Sequence, residues 1–258
     1  VLLHGFGAST YSWRNVVEPL SKIGTVISYD RPAFGLTQRL MPGAWVGQDP
    51  YSAAFQPKLL IRLLDELGFK NVILVGNSAG GTVAVQTAYE FPDRVTGLVL
   101  VDAAIYNGGG IPAWLRPLLN LPQADRLGIL LTRNIREWGN DFLVRAWHDP
   151  NKITPEIMEN YRKPLRVANW DWGLWQLTKA EPLPNPVKQQ LDTLKLPVLV
   201  VTGDDDQIVE TKLSLQLAKD IQGSELAVFK DCGHVPQEEC PEQFLPVVSQ
   251  FILKITGK

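Results

Sequence analysis

The stretch Val72-Ile73-Leu74-Val75-Gly76-Asn77-Ser78-Ala79-Gly80-Gly81 decides how this chain is read. An apolar, β-branched run ends in Gly-Asn-Ser-Ala-Gly, and a helix-prone segment follows. That order predicts a buried strand, a sharp turn and a helix, with Ser78 lifted out at the carboxyl end of the strand. Gly76 and Gly80 flank the serine because a side chain at either place would crowd the turn. Ser78 is also set beside a helix N-terminus, where free N–H groups favour developing negative charge. The five-residue pattern recurs by chance in many chains. A base, an acid and oxyanion donors must therefore come from elsewhere in the sequence.

Working outward, 258 residues leave room for one sizeable α/β domain with an insertion. A net charge of −2 gives no electrostatic footprint for nucleic acid or a membrane surface. No apolar run reaches the ~20 residues of a membrane span. The two cysteines, Cys232 and Cys240, are too few for a disulfide framework. They lie close together in sequence, which leaves a bridge open; read as unbridged buried residues, they fit a reducing, cytoplasmic compartment, and their neighbours suggest no metal site. The chain opens at Val1-Leu2-Leu3-His4-Gly5, already inside a strand and without an initiating methionine. The natural protein is expected to extend further, with any targeting signal ahead of this point.

Strand and helix patterns alternate through the first hundred residues. Val1–Leu3 reads as a strand running into the Gly-rich turn His4-Gly5-Phe6-Gly7-Ala8-Ser9, and Ser9–Ser21 as a helix. Thr25–Tyr29 reads as the next strand, closed by Asp30-Arg31-Pro32-Ala33-Phe34-Gly35, and residues 39–50 as loop. Tyr51–Leu67 is an amphipathic helix stopped by Gly68. Asn71–Val75 is a strand, a helix runs from the Ser78 turn to Glu90, and Val95–Val101 is a strand ending at Asp102. This alternation predicts a mostly parallel, doubly wound sheet. From 105 to 190 the pattern turns helical and irregular. Gly108-Gly109-Gly110 and six of the eight tryptophans fall there: Trp114, Trp138, Trp147, Trp170, Trp172 and Trp175. We read residues 105–190 as a helical cap inserted into a core made of 1–104 and 191–258. The alternation resumes with a strand at Leu196–Val201, a helix at Thr211–Ile221, a strand at Glu225–Phe229 and a closing helix at Pro241–Ile255.

Open α/β sheets place ligands beyond the carboxyl ends of their strands. The Gly5-Phe6 turn, Ser78, the Asp204–Asp206 turn and His234 all fall at such ends, in the order serine, acid, histidine. Serine needs a base to take its proton, and His234, on a loop after a strand, suits that task. His4, before the Gly-rich turn, reads as structural, and His148 as a surface loop residue. Adjacent carboxylates repel, so one of three aspartates faces the site and the others face water. Position alone ranks Asp206 ahead of Asp205, Asp204 and Asp102. The N–H groups of Phe6 and Ala79 are the candidate oxyanion donors. Most cap tryptophans read as packing residues. Trp170, Trp172 and Trp175 are dense enough for one or two to line a substrate pocket.

Together these segments resemble the α/β-hydrolase fold family over essentially the whole chain. The carrying stretches are Leu3–Ala8, Asp30–Gly35, Gly76–Gly81, Gly203–Asp206 and Cys232-Gly233-His234-Val235-Pro236-Gln237-Glu238. The resemblance implies an acid three residues after the strand-end Gly203, which is Asp206, and a cap of this size before the next strand. It also implies an antiparallel pair of strands ahead of the His-Gly strand, which this sequence lacks. Pro32-Ala33 stands where many members carry Gly-His. The expected activity is cofactor-free hydrolysis of a small carboxylic ester through a Ser78 acyl-enzyme. Members with the same triad also cleave C–C bonds of vinylogous diketones, or act as lactonases, perhydrolases or amidases, and a binding protein that kept only the pocket is a non-enzyme alternative. Epoxide hydrolases and haloalkane dehalogenases fit less well, because they carry aspartate where Ser78 stands.

Overall fold

The computed structural model describes residues 1–106, 116–119, 121–180 and 187–257. Among these, five strands form one sheet in the order β1-β2-β3-β4-β5: β1 Leu2–Leu3, β2 Val72–Asn77, β3 Val95–Val101, β4 Val198–Gly203 and β5 Glu225–Phe229. Every pairing is parallel. Period-two alternation sorts the strand residues to two faces. Leu74, Leu98, Leu100, Val198 and Val200 join one buried cluster, and Val75, Val99, Val101, Leu199 and Val201 join the other.

Helices cover both faces. In chain order they are α1 Val17–Ser21, α2 Phe55–Glu66, α3 Ala79–Glu90, α4 Arg116–Leu119, α5 Pro122–Arg133, α6 Ile135–Arg145, α7 Pro155–Arg162, α8 Trp170–Lys179, α9 Thr211–Asp220, α10 Pro236–Glu239 and α11 Pro241–Thr256. Leu60 and Leu64 of α2, Ala84 and Ala88 of α3 and Leu217 of α9 cover the first face. Leu20 of α1 and Phe244, Val248 and Phe251 of α11 cover the second. This is the doubly wound arrangement the alternation predicts. Helices α4 to α8 lie between β3 and β4 in the chain. Residues 108–110 and Trp114 lie outside the described residues.

Three expectations need correction. Thr25–Tyr29 forms no strand: it meets the sheet only at Ser28, bridged to Leu2, with Leu2 N–H donating to Ile27 O at 2.8 Å. A β-branched run becomes a strand only where a partner offers a ladder, and β1 offers two residues. The helix expected from Ser9 to Ser21 splits into a 3-10 turn, Thr10–Trp13, and α1. Thirdly, Cys232 and Cys240 are joined in a disulfide. Helix α10 turns the intervening chain back on itself and brings their Cα atoms to 6.3 Å, a fold-back that eight residues of spacing do not announce. The cysteines therefore give no argument for a reducing compartment. Among the described residues, no helix is long and apolar enough to cross a membrane.

Candidate active site

Ser78 sits between β2 and α3 with φ 53° and ψ −122°. A non-glycine residue holds this conformation at a cost of roughly 1–3 kcal/mol, and only where its surroundings impose it. Here the surroundings are backbone. A Cβ on Gly76 would lie 2.5 Å from Gly80 O, and one on Gly80 would lie 2.1 Å from Leu3 O. The two glycines thus let α3 close against β1 and β2. A Cβ on Gly5 would meet Ser78 Cβ at 3.1 Å, so the His4-Gly5 turn lies directly against the serine.

Asp206 and His234 meet behind it. His234 Nδ1 is 2.7 Å from Asp206 Oδ2, and both side chains are buried. Asp206 Oδ1 accepts the N–H groups of Ile208 and Val209 at 2.7 and 2.9 Å, which fixes its orientation. Of its neighbours, Asp205 turns outward to His148 Nδ1 at 2.8 Å, and exposed Asp204 accepts from Cys232 N–H at 3.3 Å. His148 is therefore a half-exposed partner of Asp205, whose hydrogen bond raises its pKa. Asp102 is fully buried, and one of its carboxyl oxygens lies within 4.8 Å of ligand atoms of both Asp206 and His234.

His234 is tied into its surroundings by residues that sequence reasoning passed over. Asn77 Nδ2 donates to His234 O at 3.0 Å and to Val101 O at 3.2 Å, linking the serine turn to the histidine loop. Glu239 accepts N–H groups of His148, Asp149 and Gly233 at 3.0, 2.8 and 2.8 Å. His234 N–H donates to Ala146 O at 2.8 Å. Asn77 stands inside the motif and was open to view. Glu239 has one partner six residues away, Gly233, and two about ninety residues away, His148 and Asp149, and the distant pair carried no signal.

His4 plays the structural part assigned to it. Its Nδ1 is 2.8 Å from Gly5 O, and Arg31 N–H donates to its Nε2 at 3.0 Å, so the ring is neutral with the proton on Nδ1. Burial, aided by the Arg31 charge, holds its pKa well below 6.5. Asp30 accepts from Thr10 and Leu36 N–H, both at 2.7 Å, and braces the Gly-rich turn against the next loop.

A cavity of about 300 Å³ joins these parts. Its sheet side includes Gly5, Phe6, Ser78 and His234, and its helical side includes Leu143, Tyr161, Trp170 and Leu174. Phe6 stands on this wall, and Ala79 opens α3, where first-turn N–H groups have no intrahelical acceptor. Of the three candidate pocket tryptophans only Trp170 lines the cavity. Trp175 points away and donates from Nε1 to Asp125 at 2.7 Å, and Trp172 lies beneath Lys179. Helical spacing explains the split: Trp170 and Leu174, four apart, share a face that the other two do not. The lining includes Arg39 and Arg162 but, among the described residues, no Asp or Glu.

Two groups of side chains could approach a metal ion: Asp102, Asp206 and His234, and Cys232, Glu239 and Cys240. In the first, Asp206 and His234 hold each other and Asp206 also accepts two backbone N–H groups, while Asp102 Oδ2 is without a partner; in the second, Glu239 accepts three N–H groups and the cysteines are joined in the disulfide.

A family model described as the alpha/beta hydrolase fold matches residues 1–241. A 2-hydroxy-6-oxononadienedioate/2-hydroxy-6-oxononatrienedioate hydrolase from Burkholderia vietnamiensis is 31% identical over 263 residues, covering 98% of this chain and 86% of that protein. A thermophilic esterase from Thermogutta terrifontis superposes with a TM-score of 0.75 at 26% identity, covering 98% of this chain and 89% of the other. A meta-cleavage product hydrolase from Pseudomonas fluorescens superposes with a TM-score of 0.66 at 25% identity, covering 98% and 89%. With the parallel sheet wound on both faces and a match along nearly its whole length, the chain belongs to the alpha/beta hydrolase fold family and is a hydrolase.

Proposed function

We propose that this protein is a serine hydrolase of small carboxylic esters, with Ser78 as nucleophile, His234 as base and Asp206 as its orienting acid. The observation that carries the reading is the buried 2.7 Å contact between His234 Nδ1 and Asp206, behind a cavity wall that His234 shares with Ser78. Held this way, the ring keeps its Nδ1 proton and presents Nε2 as the acceptor. Ser78 Oγ attacks the ester carbonyl as its proton passes to Nε2, and the oxyanion is met by Phe6 and Ala79 N–H. The imidazolium then protonates the departing alcohol. Water, deprotonated by the same nitrogen, releases the acid from the acyl-enzyme. No cofactor enters these steps. Residues 105–190 act as a cap over the core of 1–104 and 191–258, and Trp170 sets part of the acyl-side wall.

A second reading is C–C cleavage of a carboxylated dienone on the same triad. It is favoured by the 31% identical relative and by the two arginines, unaccompanied by any acid, among the cavity's described lining residues. Hydrolysis of a panel of p-nitrophenyl esters by wild type and Ser78→Ala tests the first reading. Turnover that disappears in the folded variant supports it, and turnover that survives removes Ser78 as nucleophile. Absence of ester turnover, with bleaching of a dienone substrate, would transfer the triad to C–C chemistry.

A further inference from the structure

Asp102, just past β3, is wholly buried and has φ 46°. One ligand atom each from Asp102, Asp206 and His234 lie within 4.8 Å of one another. Asp206 is satisfied as a carboxylate by Ile208 N–H, Val209 N–H and the imidazole. Asp102 is not. Its Oδ1 accepts from Thr202 Oγ1 at 2.6 Å, while its Oδ2 is buried with no partner. Two carboxylates this close, shut from water, do not both carry charge. Asp206, with three donors, is the one that keeps it. A protonated Asp102 then explains the orphan: as an acid, Oδ2 is a donor, and Asp206 is the acceptor within reach. Burial first, then the Asp206 charge and a hydrogen bond to it, push the Asp102 carboxyl well above the ordinary 3.8.

We propose that Asp102 is a neutral carboxylic acid that donates its Oδ2 hydrogen to the Asp206 carboxylate, making it a positioning residue for the acid that holds His234. Each partner has capacity for the bond. Asp206 Oδ1 already accepts two hydrogens, whereas Oδ2 accepts one and has a lone pair left. The order of contacts is Thr202 to Asp102 to Asp206 to His234. The charged and titratable groups around Asp102 are Asp206 on the loop after β4 and His234 on the loop before α10. Thr202 is its neutral neighbour on β4. The proposal rests on the triad assignment for its kinetic consequence, but not for the protonation state.

Two measurements test it. A difference infrared spectrum of wild type against Asp102→Asn at neutral pH should show loss of a protonated-carboxyl stretch. A difference containing only carboxylate bands would overturn the proposal, whatever the enzyme's substrate. In the ester assay, Asp102→Asn, which keeps a donor, should hold kcat within about threefold of wild type. Asp102→Leu, of similar size without a donor, should lose roughly 10- to 100-fold in kcat with KM unchanged, the worth of a hydrogen bond to a charged group. Equal damage in the two variants would overturn the donor role. If the leucine variant fails to fold, the infrared result and the asparagine kinetics decide. If wild type hydrolyses no ester, the function reading fails while the infrared test still stands.

Discussion

Around the Ser78 turn the chain leaves no room for a Cβ on Gly76 or Gly80. The atoms that would be struck are carbonyl oxygens of Gly80 and Leu3, which do not yield. Among helices α4 to α8 a Cβ on Gly128 would lie 2.2 Å from the ring of Trp175, away from the cavity lining, and the atom struck belongs to a side chain. The sheet side presents Ser78 and His234 through backbone turns. The helical side presents Leu143, Tyr161, Trp170 and Leu174 as side chains on separate helices. Backbone against backbone holds reacting atoms to fractions of an ångström. Side chains on helices set a shape that one substitution can remake. On the function proposed above, chemistry belongs to the first wall and substrate choice to the second.

The largest effect expected is at the acid. Asp206→Asn should lower kcat by ~10⁴-fold, the scale of losing the tautomer-holding carboxylate, while Asp204→Asn and Asp205→Asn stay within about tenfold. Steady-state kinetics on the best ester checks this ranking, and its inversion would reassign the acid. Next, Gly80→Ala should cost ~3 kcal/mol or more of stability, against ~1–2 for Gly128→Ala, where the Trp175 ring can shift. Urea denaturation reads both, and equal costs would erase the contrast between backbone and side-chain packing. Trp170→Ala should redistribute activity across acyl-chain lengths by about tenfold, the worth of one to two methylenes, and Trp172→Ala should leave the profile unchanged.

The smallest effect is in pH dependence, where two histidines oppose each other. His4, its folded pKa lowered, binds a proton more readily when unfolded. Stability therefore falls as pH drops below 6.5 toward the folded value, and the His4→Gln variant should lose that slope. His148, its folded pKa raised by Asp205, adds stability that is fully present below 6.5 and lost as pH rises through the folded value. Because His148 is on the surface, its slope should be the shallower and should fade in salt. Denaturation curves from pH 5 to 8 on each single variant separate the two.

The sheet core and the serine turn were legible because their signals are local. Leu98-Val99-Leu100-Val101 alternates between two faces whatever else the chain does, and Gly76 and Gly80 answer to atoms a few residues away or on the neighbouring strand. The failures depend on partners. Thr25–Tyr29 has the composition of a strand and no ladder to join. Cys232 and Cys240 meet because α10 folds back between them. The ranking of Asp206 ahead of Asp102 agrees with the 2.7 Å contact to His234, although strand-end position alone does not say which carboxylate reaches the imidazole. Trp172 and Trp175 were grouped with Trp170 by density, where helical period separates them.

Glu239 has a mechanical meaning. One carboxylate fastens residues 148 and 149, where α6 has ended, to residue 233, next to His234, and His234 N–H to Ala146 O adds a second fastening. A Cβ on Gly233 would already lie 2.6 Å from Ala146 O, so the two segments have no slack between them. Whatever part of the helical wall swings to admit substrate or release product, its pivot lies outside 146–149. This stretch is the doorpost and not the door, and a door hung elsewhere can open without moving His234.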